Sequence, residues 1–173
     1  MTSLLVNHIL QTEKWTSPEL FETKNRIYTF LNPVSYLIAL ENKSLFKQFD
    51  GIFADGSLLV SAIRLVYGKR VTRRSFDMTS LAPELLNYLM ESRKTLYIVA
   101  SGQEQVECSV RIFQEQYPKL RIAGFRNGYF SSDAEMNKEA SHIVELNPDF
   151  LIVGMGACLL YTSDAADEAR SVD

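Results

Sequence analysis

Short apolar runs alternate with amphipathic stretches from about residue 26 to residue 157. The apolar runs have the length and β-branched or aromatic content of buried strands, whereas the amphipathic stretches repeat apolar residues at helical spacing. The predicted strands cover residues 26–31, 51–54, 95–100, 120–124 and 150–153. The predicted helices cover residues 34–49, 58–67, 77–91, 103–117 and 132–146, with Gly68 as the C-cap of the second and Asp77 as the N-cap of the third.

This order of strands and helices predicts the fold class. Strand–helix–strand units with connections of this length form right-handed crossovers between parallel strands. We therefore predict one α/β domain over residues 1–157, Rossmann-like, with a mostly parallel sheet flanked by helices. Residues 1–25 form a poorly defined, partly helical lead-in. In such a sheet the loops after the carboxyl ends of the strands line the ligand crevice.

Composition excludes several classes of protein. The chain has 173 residues and a net charge of −3, with no basic stripe interleaved with aromatic residues, which argues against a nucleic-acid partner. Cys108 and Cys158 fit neither a metal-ligand spacing nor a disulfide framework, as is typical of a reducing cytoplasm. No signal peptide is evident, and no run reaches the ~20 apolar residues that span a bilayer. We expect a soluble, cytoplasmic protein.

The pattern stops after Ala157. Residues 158–173 show no continuing apolar period and become small and acidic within a few positions. Residues 158–168 resemble the conceptual translation of a transposase-type sequencing adapter, so we predict that 158–173 is a non-native tail. A frayed natural C-terminus is the alternative. In either case the domain would stop at a strand end, with its C-terminal part missing.

Asp55 is the first candidate for chemistry, because it directly follows a predicted buried strand. A carboxylate there can act as a general base, and Gly56 lets the backbone approach a ligand. An ordinary Asp-Gly turn explains the same pair, and is the commoner use of it. Asn32, three residues after Thr29, can hydrogen-bond a sugar or base edge, or can simply end the first strand before a proline.

Further candidates follow the other strands or the second helix. Arg73 offers a planar fork of donors suited to a diphosphate, although a solvated basic loop is the simpler reading of the basic run 69–74. Asp77 is the other member of this segment. Glycine-containing strand ends let phosphate or ribose reach backbone N–H groups; these candidates are Ser101, Gly102, Gly128, Gly154 and Gly156, with Tyr129 as a ring for stacking. No complete G-x-G-x-x-G is present, and no D-x-D pair precedes Ala157.

An ordered set of short motifs resembles the TagA/WecG/CpsF family of bacterial glycosyltransferases over about residues 27–157. The set begins with T-F-L-N-P at 29–33, A-D-G at 54–56 and R-x-S-F-D at 73–77. It continues with Ser101-Gly102, Y-P-x-L-x-I-x-G at 117–124, N-G-Y-F at 127–130 and P-D-F-L-I-V-G-M-G-A at 148–157. Each motif is weak alone, and the order and spacing make the set fairly specific.

The resemblance implies transfer of an N-acetylhexosamine such as N-acetylmannosamine, or its uronic acid, from a UDP-sugar to a polyprenyl-diphosphate-linked acceptor. Such enzymes take part in teichoic acid, enterobacterial common antigen or capsule synthesis. The resemblance also implies that the reaction inverts the anomeric carbon and needs neither a metal ion nor a cofactor. By resemblance Asp55 is the base, and Thr29 and Asn32 lie in the substrate pocket. The family's arginine precedes Asp77 by about five residues, where this chain has Thr72, so Arg73 takes that role only with a one-residue shift.

The resemblance also implies peripheral contact with the inner face of the cell membrane, and self-association. The family continues after G-x-G-A with Pro-Lys-Gln-Glu and a basic appendage, where this chain has Cys158 and Leu159. We therefore expect a truncated copy that folds poorly or binds UDP-sugar weakly. Two alternatives stay open: a non-catalytic nucleotide-sugar-binding module or inactive fragment, and a Rossmann-like oxidoreductase, against which the missing glycine fingerprint counts.

Overall fold

A computed structural model describes residues 4–155 of the chain, and these residues form helices and parallel strands. The chain divides into two compact units, Met1–Leu85 and Leu86–Asp173. Strands β1 and β2 pair in the first unit, and strands β3, β4 and β5 pair in the second, all of them parallel. The predicted α/β class with parallel strands flanked by helices is confirmed, and the described strands lie in two sheets.

In the first unit, helices lie around a two-stranded sheet. The elements in order are α1 (Leu4–Thr12), α2 (Ser17–Glu22), β1 (Tyr28–Leu31), α3 (Pro33–Glu41), α4 (Lys43–Phe46), β2 (Gly51–Ala54), α5 (Ser57–Tyr67) and the start of α6 (Leu81–Glu91). The rings of Phe30 and Phe53 stack across the two strands with centroids 5.1 Å apart. Phe53 is buried with Leu20 and Leu81, so one face of the sheet carries an aromatic core.

Helix α1 packs against β2, although the sequence shows it only as a lead-in. Leu5, Val6 and Ile9 are buried, and the Thr12 hydroxyl accepts a hydrogen bond from the Ile52 backbone N–H at 3.1 Å. The helix approaches β2 so closely that a Cβ on Gly51 would lie 2.9 Å from the Thr12 methyl carbon. A side chain at position 51 would therefore push the helix and the strand apart.

The second unit carries a three-stranded sheet in the order β4-β3-β5. After the rest of α6 come β3 (Thr95–Ala100), α7 (Gln103–Gln116), β4 (Arg121–Arg126), α8 (Asp133–Leu146) and β5 (Phe150–Gly154). The central strand β3 is buried from Leu96 to Val99. The register between β3 and β4 shifts after Leu96, and Gly124 then lies beside Tyr97, whose ring would overlap a Cβ at position 124.

Most predicted elements match the structure within a few residues, and two predictions are wrong. The predicted helix 34–49 is broken at Asn42, whose backbone leaves the helical conformation (φ −111°, ψ 42°) and whose side-chain amide donates to the Ile38 carbonyl. Asp77 is not a helix N-cap: α6 begins at Leu81. The Asp77 carboxylate instead accepts hydrogen bonds from the Thr79 backbone N–H and hydroxyl, which forms a separate turn before the helix.

Candidate functional site

The strand ends of the first unit bring Asn32 and Asp55 to the same edge. Leu31 and Ala54 are the last residues of β1 and β2 and are paired in register. The Asp55 backbone N–H donates to the Leu31 carbonyl at 2.8 Å, which extends the pairing by one step. Gly56 follows with a φ of +92°, a backbone conformation that L side chains rarely adopt. This glycine turns the chain from the carboxylate directly into α5.

Arg73 lies beside both carboxylates of this edge. Its Nη2 atom is 2.7 Å from Asp77 Oδ2 and 3.7 Å from Asp55 Oδ1. All three side chains are partly exposed to solvent. The shorter contact makes Asp77 the anchor of the guanidinium, whereas the longer one leaves the Asp55 carboxylate oxygens available to another partner. The structure therefore brings Asp55 together with Arg73 and Asp77, which the sequence offered as a separate segment.

Asp77 is held as an anion by several donors. The Ser75 hydroxyl donates to Oδ2 at 2.6 Å, and the Thr79 hydroxyl and backbone N–H donate to Oδ1 at 2.7 and 2.8 Å. These hydrogen bonds, and the Arg73 guanidinium after them, hold the pKa of the Asp77 carboxyl well below its usual range. Asp77 is therefore ionised at neutral pH and forms the ion pair with Arg73.

Arg74 fixes this segment against the sheet, a role that the basic run did not reveal. Its backbone N–H donates to the Ala54 carbonyl at 3.0 Å, directly before Asp55. Its Nη1 donates to the Trp15 carbonyl at 2.7 Å, and its guanidinium lies 5.6 Å from the centroid of the Phe53 ring. Arg74 thus faces the core and Arg73 faces the carboxylates. The alternation of a strand-like segment is the only sequence signal that distinguishes the two arginines.

Asn32 caps a helix at this edge, and the cap does not use the nitrogen of its side-chain amide. Its Oδ1 atom accepts hydrogen bonds from the backbone N–H groups of Val34 and Ser35 and caps α3. Its Nδ2 atom has no partner among residues 4–155, and the residue is exposed. Thr29 lies within β1, paired with Ile52, two residues before the strand ends. Of the two, Asn32 is the residue at the strand end.

The second unit contains a second group of strand ends. In the order β4-β3-β5, the chain passes from β3 to β4 on one side and then crosses to β5 on the other side of β3. The boundary between β3 and β5 is therefore a switch point, the place where parallel sheets bind ligands. Ser101 and Gly102 follow β3, and the Ser101 N–H donates to the Gly154 carbonyl at 3.3 Å. Ser101 has a φ of +50°, and Gly102 opens α7 without a side-chain cap.

Gly128 and Tyr129 lie at the end of β4 in the same unit. The Gly128 N–H donates to the Ser101 carbonyl at 2.8 Å, and a Cβ on Gly128 would lie 2.9 Å from the Met155 Cγ. Ser101, Gly128 and Gly154 are thus in one cluster. Tyr129 follows with its side chain 60% exposed, so its ring is available for stacking.

Arg126 organises the loop that carries Tyr129. It donates to the Tyr129 carbonyl at 2.8 Å, lies over the Phe130 ring at 3.9 Å, and forms an ion pair with Glu135 at 3.1 Å. The Ser131 hydroxyl and backbone N–H, followed by Arg126, lower the pKa of Glu135 to about 2. A Ser-Ser-x-x-Glu pattern at the start of a helix is the sequence signal that could have found this acidic anchor.

Glu139 connects the loop to the middle of the sheet. Its Oε2 lies 3.7 Å from Arg126 Nη1, and its Oε1 accepts a hydrogen bond from the Tyr97 hydroxyl at 2.5 Å. Burial, and then the bond to Glu139, raise the pKa of Tyr97 to about 12. The tyrosine therefore remains a neutral donor, and the network holds the end of β4 in place.

Two kinds of site find no support in the part of the chain that the structure describes. Between residues 4 and 155, no three His, Cys, Asp or Glu side chains gather as a metal site would require. No helix within these residues is long and apolar enough to cross a membrane. Gly156 and Cys158, which the sequence analysis singled out, lie outside the described residues.

Comparison with known proteins adds two relatives. The chain is similar to the UDP-Gal:α-D-GlcNAc-diphosphoundecaprenol β-1,4-galactosyltransferase of Shigella boydii, with 28% identity over 87% of this chain and 59% of that protein. It is also similar to the N-acetylglucosaminyldiphosphoundecaprenol N-acetyl-β-D-mannosaminyltransferase of Bacillus subtilis (strain 168), with 22% identity over 75% of this chain and 50% of that protein. The chain thus spans between half and three fifths of the length of these relatives.

The region that matches a known family extends well beyond the two groups of strand ends. Residues 9–159 match the glycosyl transferase WecG/TagA/CpsF family, a range that contains β1 to β5 and every candidate residue discussed above. That range also includes the last four residues of α1, which the sequence analysis had set aside as part of a lead-in. The chain belongs to the WecG/TagA/CpsF family of glycosyltransferases.

Proposed function

We propose that this chain transfers a hexose-type sugar from a UDP-sugar to N-acetylglucosamine linked to a polyprenyl diphosphate, for cell-surface polysaccharide synthesis. The names of both relatives specify an N-acetylglucosamine–diphosphoundecaprenol acceptor, which supports this acceptor class. They differ in the sugar transferred, galactose in one and N-acetylmannosamine in the other. The proposed sugar is therefore galactose, an N-acetylhexosamine or its uronic acid.

The proposed reaction is a single displacement that inverts the anomeric carbon. A hydroxyl oxygen of the acceptor attacks that carbon and forms the new glycosidic bond. The bond from the anomeric carbon to the UDP oxygen breaks, and its electron pair leaves with UDP. The hydroxyl proton passes to the Asp55 carboxylate, which acts as general base. No cofactor or metal ion is part of this proposal.

The contact between Arg73 and Asp55 carries the proposal. A base at a parallel strand end, with a guanidinium 3.7 Å away that is itself anchored on Asp77, combines proton removal with stabilisation of developing negative charge. Arg73 is proposed to bind the diphosphate, and Gly56 to allow close approach of the substrate. Asn32 would donate from its free amide nitrogen, and Thr29 remains a proposed substrate contact further along β1.

The strand ends of the second unit carry further proposed substrate contacts. Ser101, Gly102, Gly128 and Gly154 lie at a switch-point edge, where phosphate or ribose can approach the backbone. Because the N–H groups of Ser101 and Gly128 already donate to backbone carbonyls, the first N–H groups of α7 are the proposed donors to a phosphate. Tyr129 would stack on the base. Each of these residues is proposed from its place at a strand end.

The direct test is a transfer assay with the purified chain, in which formation of product is scored and not its rate, because weak binding of the UDP-sugar is expected. UDP-galactose, UDP-N-acetylglucosamine, UDP-N-acetylmannosamine and its uronic acid are offered with N-acetylglucosamine diphosphate on a short prenyl chain. A new disaccharide product with inverted anomeric configuration, formed equally in the presence of EDTA, is the expected result. UDP binding without transfer to any acceptor would favour the binding-module alternative, and absence of UDP binding would contradict both.

A further inference from the structure

The guanidinium of Arg126 is enclosed by the loop that follows β4. Its Nε donates to the Asn127 carbonyl at 2.9 Å, and its Nη2 donates to the Tyr129 carbonyl at 2.8 Å. The same Nη2 donates to Glu135, and Nη1 faces Glu139 at 3.7 Å. The side chain is only 16% exposed. All three nitrogens of Arg126 thus face protein acceptors, which is the arrangement of an arginine that holds backbone and not of one that binds a phosphate.

Polar backbone groups of residues 127–129 already have partners in the protein. The Gly128 N–H donates to the Ser101 carbonyl at 2.8 Å, and the Tyr129 N–H donates to Asn127 Oδ1 at 3.0 Å. The Asn127 amide nitrogen donates in turn to Gln103 Oε1 at 3.0 Å. Together with the two carbonyls bound by the guanidinium, these hydrogen bonds fix the loop without any ligand.

The ring of Tyr129 is the group that this fixed loop leaves exposed. Tyr129 is 60% exposed, whereas the Arg126 guanidinium lies over the ring of the next residue, Phe130, at 3.9 Å. The guanidinium therefore holds the residues on both sides of the Tyr129 ring and does not cover the ring itself. A base that stacks on this ring binds more tightly than it would on a mobile loop, because no loop has to be ordered on binding.

Glu135 supports the guanidinium from the first turn of α8. Its Oε1 accepts a hydrogen bond from Arg126 Nη2 at 3.1 Å. Its Oε2 accepts hydrogen bonds from the backbone N–H and the hydroxyl of Ser131 at 2.7 and 2.6 Å. Since Ser131 directly follows Phe130, this carboxylate closes the loop at its far end. Arg126 and Glu135 thus act on the same four residues, 127–130.

We propose that Arg126 is a positioning residue for the donor nucleotide, which holds residues 127–130 so that the Tyr129 ring stacks on the base. Glu135 is its supporting partner. The inference rests on the proposed function, in which Tyr129 stacks on the base of a UDP-sugar. Arg126 acts on binding through Tyr129 alone, and it contacts neither the base nor the phosphates.

The test is a titration of UDP with the full chain, followed through the NMR signals of the two uracil ring protons. These signals should move upfield on binding, because protons over the face of an aromatic ring are shielded. Arg126→Lys keeps the positive charge between Glu135 and Glu139 but lacks the planar fork that binds two carbonyls. It should raise the dissociation constant of UDP about 2- to 12-fold, the cost of ordering one large side chain on binding, and reduce the upfield shift.

A double-mutant cycle separates positioning from a general structural effect. Tyr129→Ala should raise the dissociation constant of UDP about 5- to 150-fold, the typical contribution of base stacking on an aromatic ring. In the Tyr129→Ala background, Arg126→Lys should have no further effect. Glu135→Ala should also weaken UDP binding, and again only in chains that keep Tyr129. Competition by inorganic diphosphate, which has no base, should be the same in all of these chains.

Matched controls lie at the other ends of the same two elements. Arg121→Lys removes a guanidinium that donates to the Arg93 carbonyl from the first residue of β4. Glu145→Ala removes an exposed carboxylate near the end of α8. Both variants should bind UDP as the unchanged chain does, with the same upfield shift. Circular dichroism identifies any variant that does not fold, and Glu135→Ala, whose side chain is 39% exposed, carries the test if Arg126→Lys is one of these.

Two results would overturn the role of Arg126 and leave the proposed function standing. The first is UDP binding that neither Arg126→Lys nor Glu135→Ala weakens. The second is a loss that adds in full to that of Tyr129→Ala, which would show that Arg126 contacts UDP itself or acts on the fold at large. UDP binding that Tyr129→Ala does not change would contradict both the stacking and its positioning. Absence of UDP binding by the unchanged chain would contradict the proposed function as well.

Discussion

The Arg73 guanidinium lies 3.7 Å from the Asp55 carboxylate, although the two residues belong to different loops. The contact depends on the backbone of Arg74, whose N–H is bonded to the carbonyl of Ala54. This hydrogen bond holds the basic segment at the end of β2. As a result Arg73, one residue before Arg74, lies beside Asp55, one residue after Ala54. A solvated basic loop, the simpler reading of the sequence, would not need this tie.

Replacing Asp55 by asparagine should separate catalysis from binding. The amide keeps the size of the side chain but cannot take up the acceptor proton, so turnover should fall by ~10²–10⁴-fold, the typical contribution of a positioned base. UDP affinity, measured by calorimetry, should stay nearly unchanged. Asp133→Asn, the same change at an exposed position of α8, is the control. Unchanged turnover in Asp55→Asn would remove this residue from the mechanism.

Arg73→Gln should weaken donor binding. A hydrogen bond to a charged group contributes about 1.5–3 kcal/mol, so the loss of a guanidinium–diphosphate contact corresponds to about a 10- to 100-fold higher dissociation constant for UDP. Arg111→Gln removes an exposed arginine from α7 and should leave the constant unchanged. If Arg73→Gln binds UDP as tightly as the unchanged chain, its role is confined to the ion pair with Asp77.

Two substitutions of Asn32 should separate capping from substrate contact. Aspartate retains an oxygen that can cap α3 but lacks the Nδ2 donor, whereas alanine lacks both. Asn32→Ala should therefore reduce the free energy of unfolding by about 1 kcal/mol, and Asn32→Asp by much less. Both variants should raise the KM for the sugar substrates. Equal KM values in Asn32→Asp and the unchanged chain would leave Asn32 with its structural role alone.

Glu135 should make the stability of the chain fall between about pH 4.5 and pH 2. The pKa of this carboxyl is lowered to about 2 in the folded chain, against about 4.3 for an unperturbed glutamate. Over this range the unfolded chain takes up a proton that the folded chain does not, so acid favours unfolding. Above this range the stabilisation is fully present.

Urea unfolding at pH 6 and pH 3 measures this effect. The difference in stability between the two pH values should be smaller in Glu135→Gln than in the unchanged chain. Glu145→Gln, at an exposed position of the same helix, should keep the original difference. A pH dependence in Glu135→Gln equal to that of the unchanged chain would show that the bonds to Ser131 and Arg126 do not favour the ionised carboxyl.

The sequence was most informative where one local signal decides the structure. Strands β2 and β3 begin and end at the predicted residues, because short β-rich runs end there at Asp-Gly and Ser-Gly. Gly68 closes α5 in the left-handed conformation, as predicted. The order of strands within each sheet was not predictable, because pairing depends on contacts between residues far apart in the chain.

In the candidate site, too, some features follow from a local sequence signal and others depend on contacts between distant residues. The position of Asp55 at a strand end follows from the strand pattern, whereas the proximity of Arg73 depends on a fold-back of the segment after α5. The competing bonds of Asp77 displaced the predicted start of α6, because the carboxylate binds Thr79 within its own turn and not the first turn of the helix. Residues 1–25 looked uninformative, yet Thr12 contributes a buried hydrogen bond to β2.

A side chain at position 124 would overlap the ring of Tyr97 on the neighbouring strand. We therefore expect the residues at these two positions to evolve together. A relative that gains a side chain at the position of Gly124 has to move or shorten the side chain at the position of Tyr97 in step. It then also loses the hydroxyl that holds Glu139. In an alignment of the family, these two columns should change together, and the acidic residue of α8 should change with them.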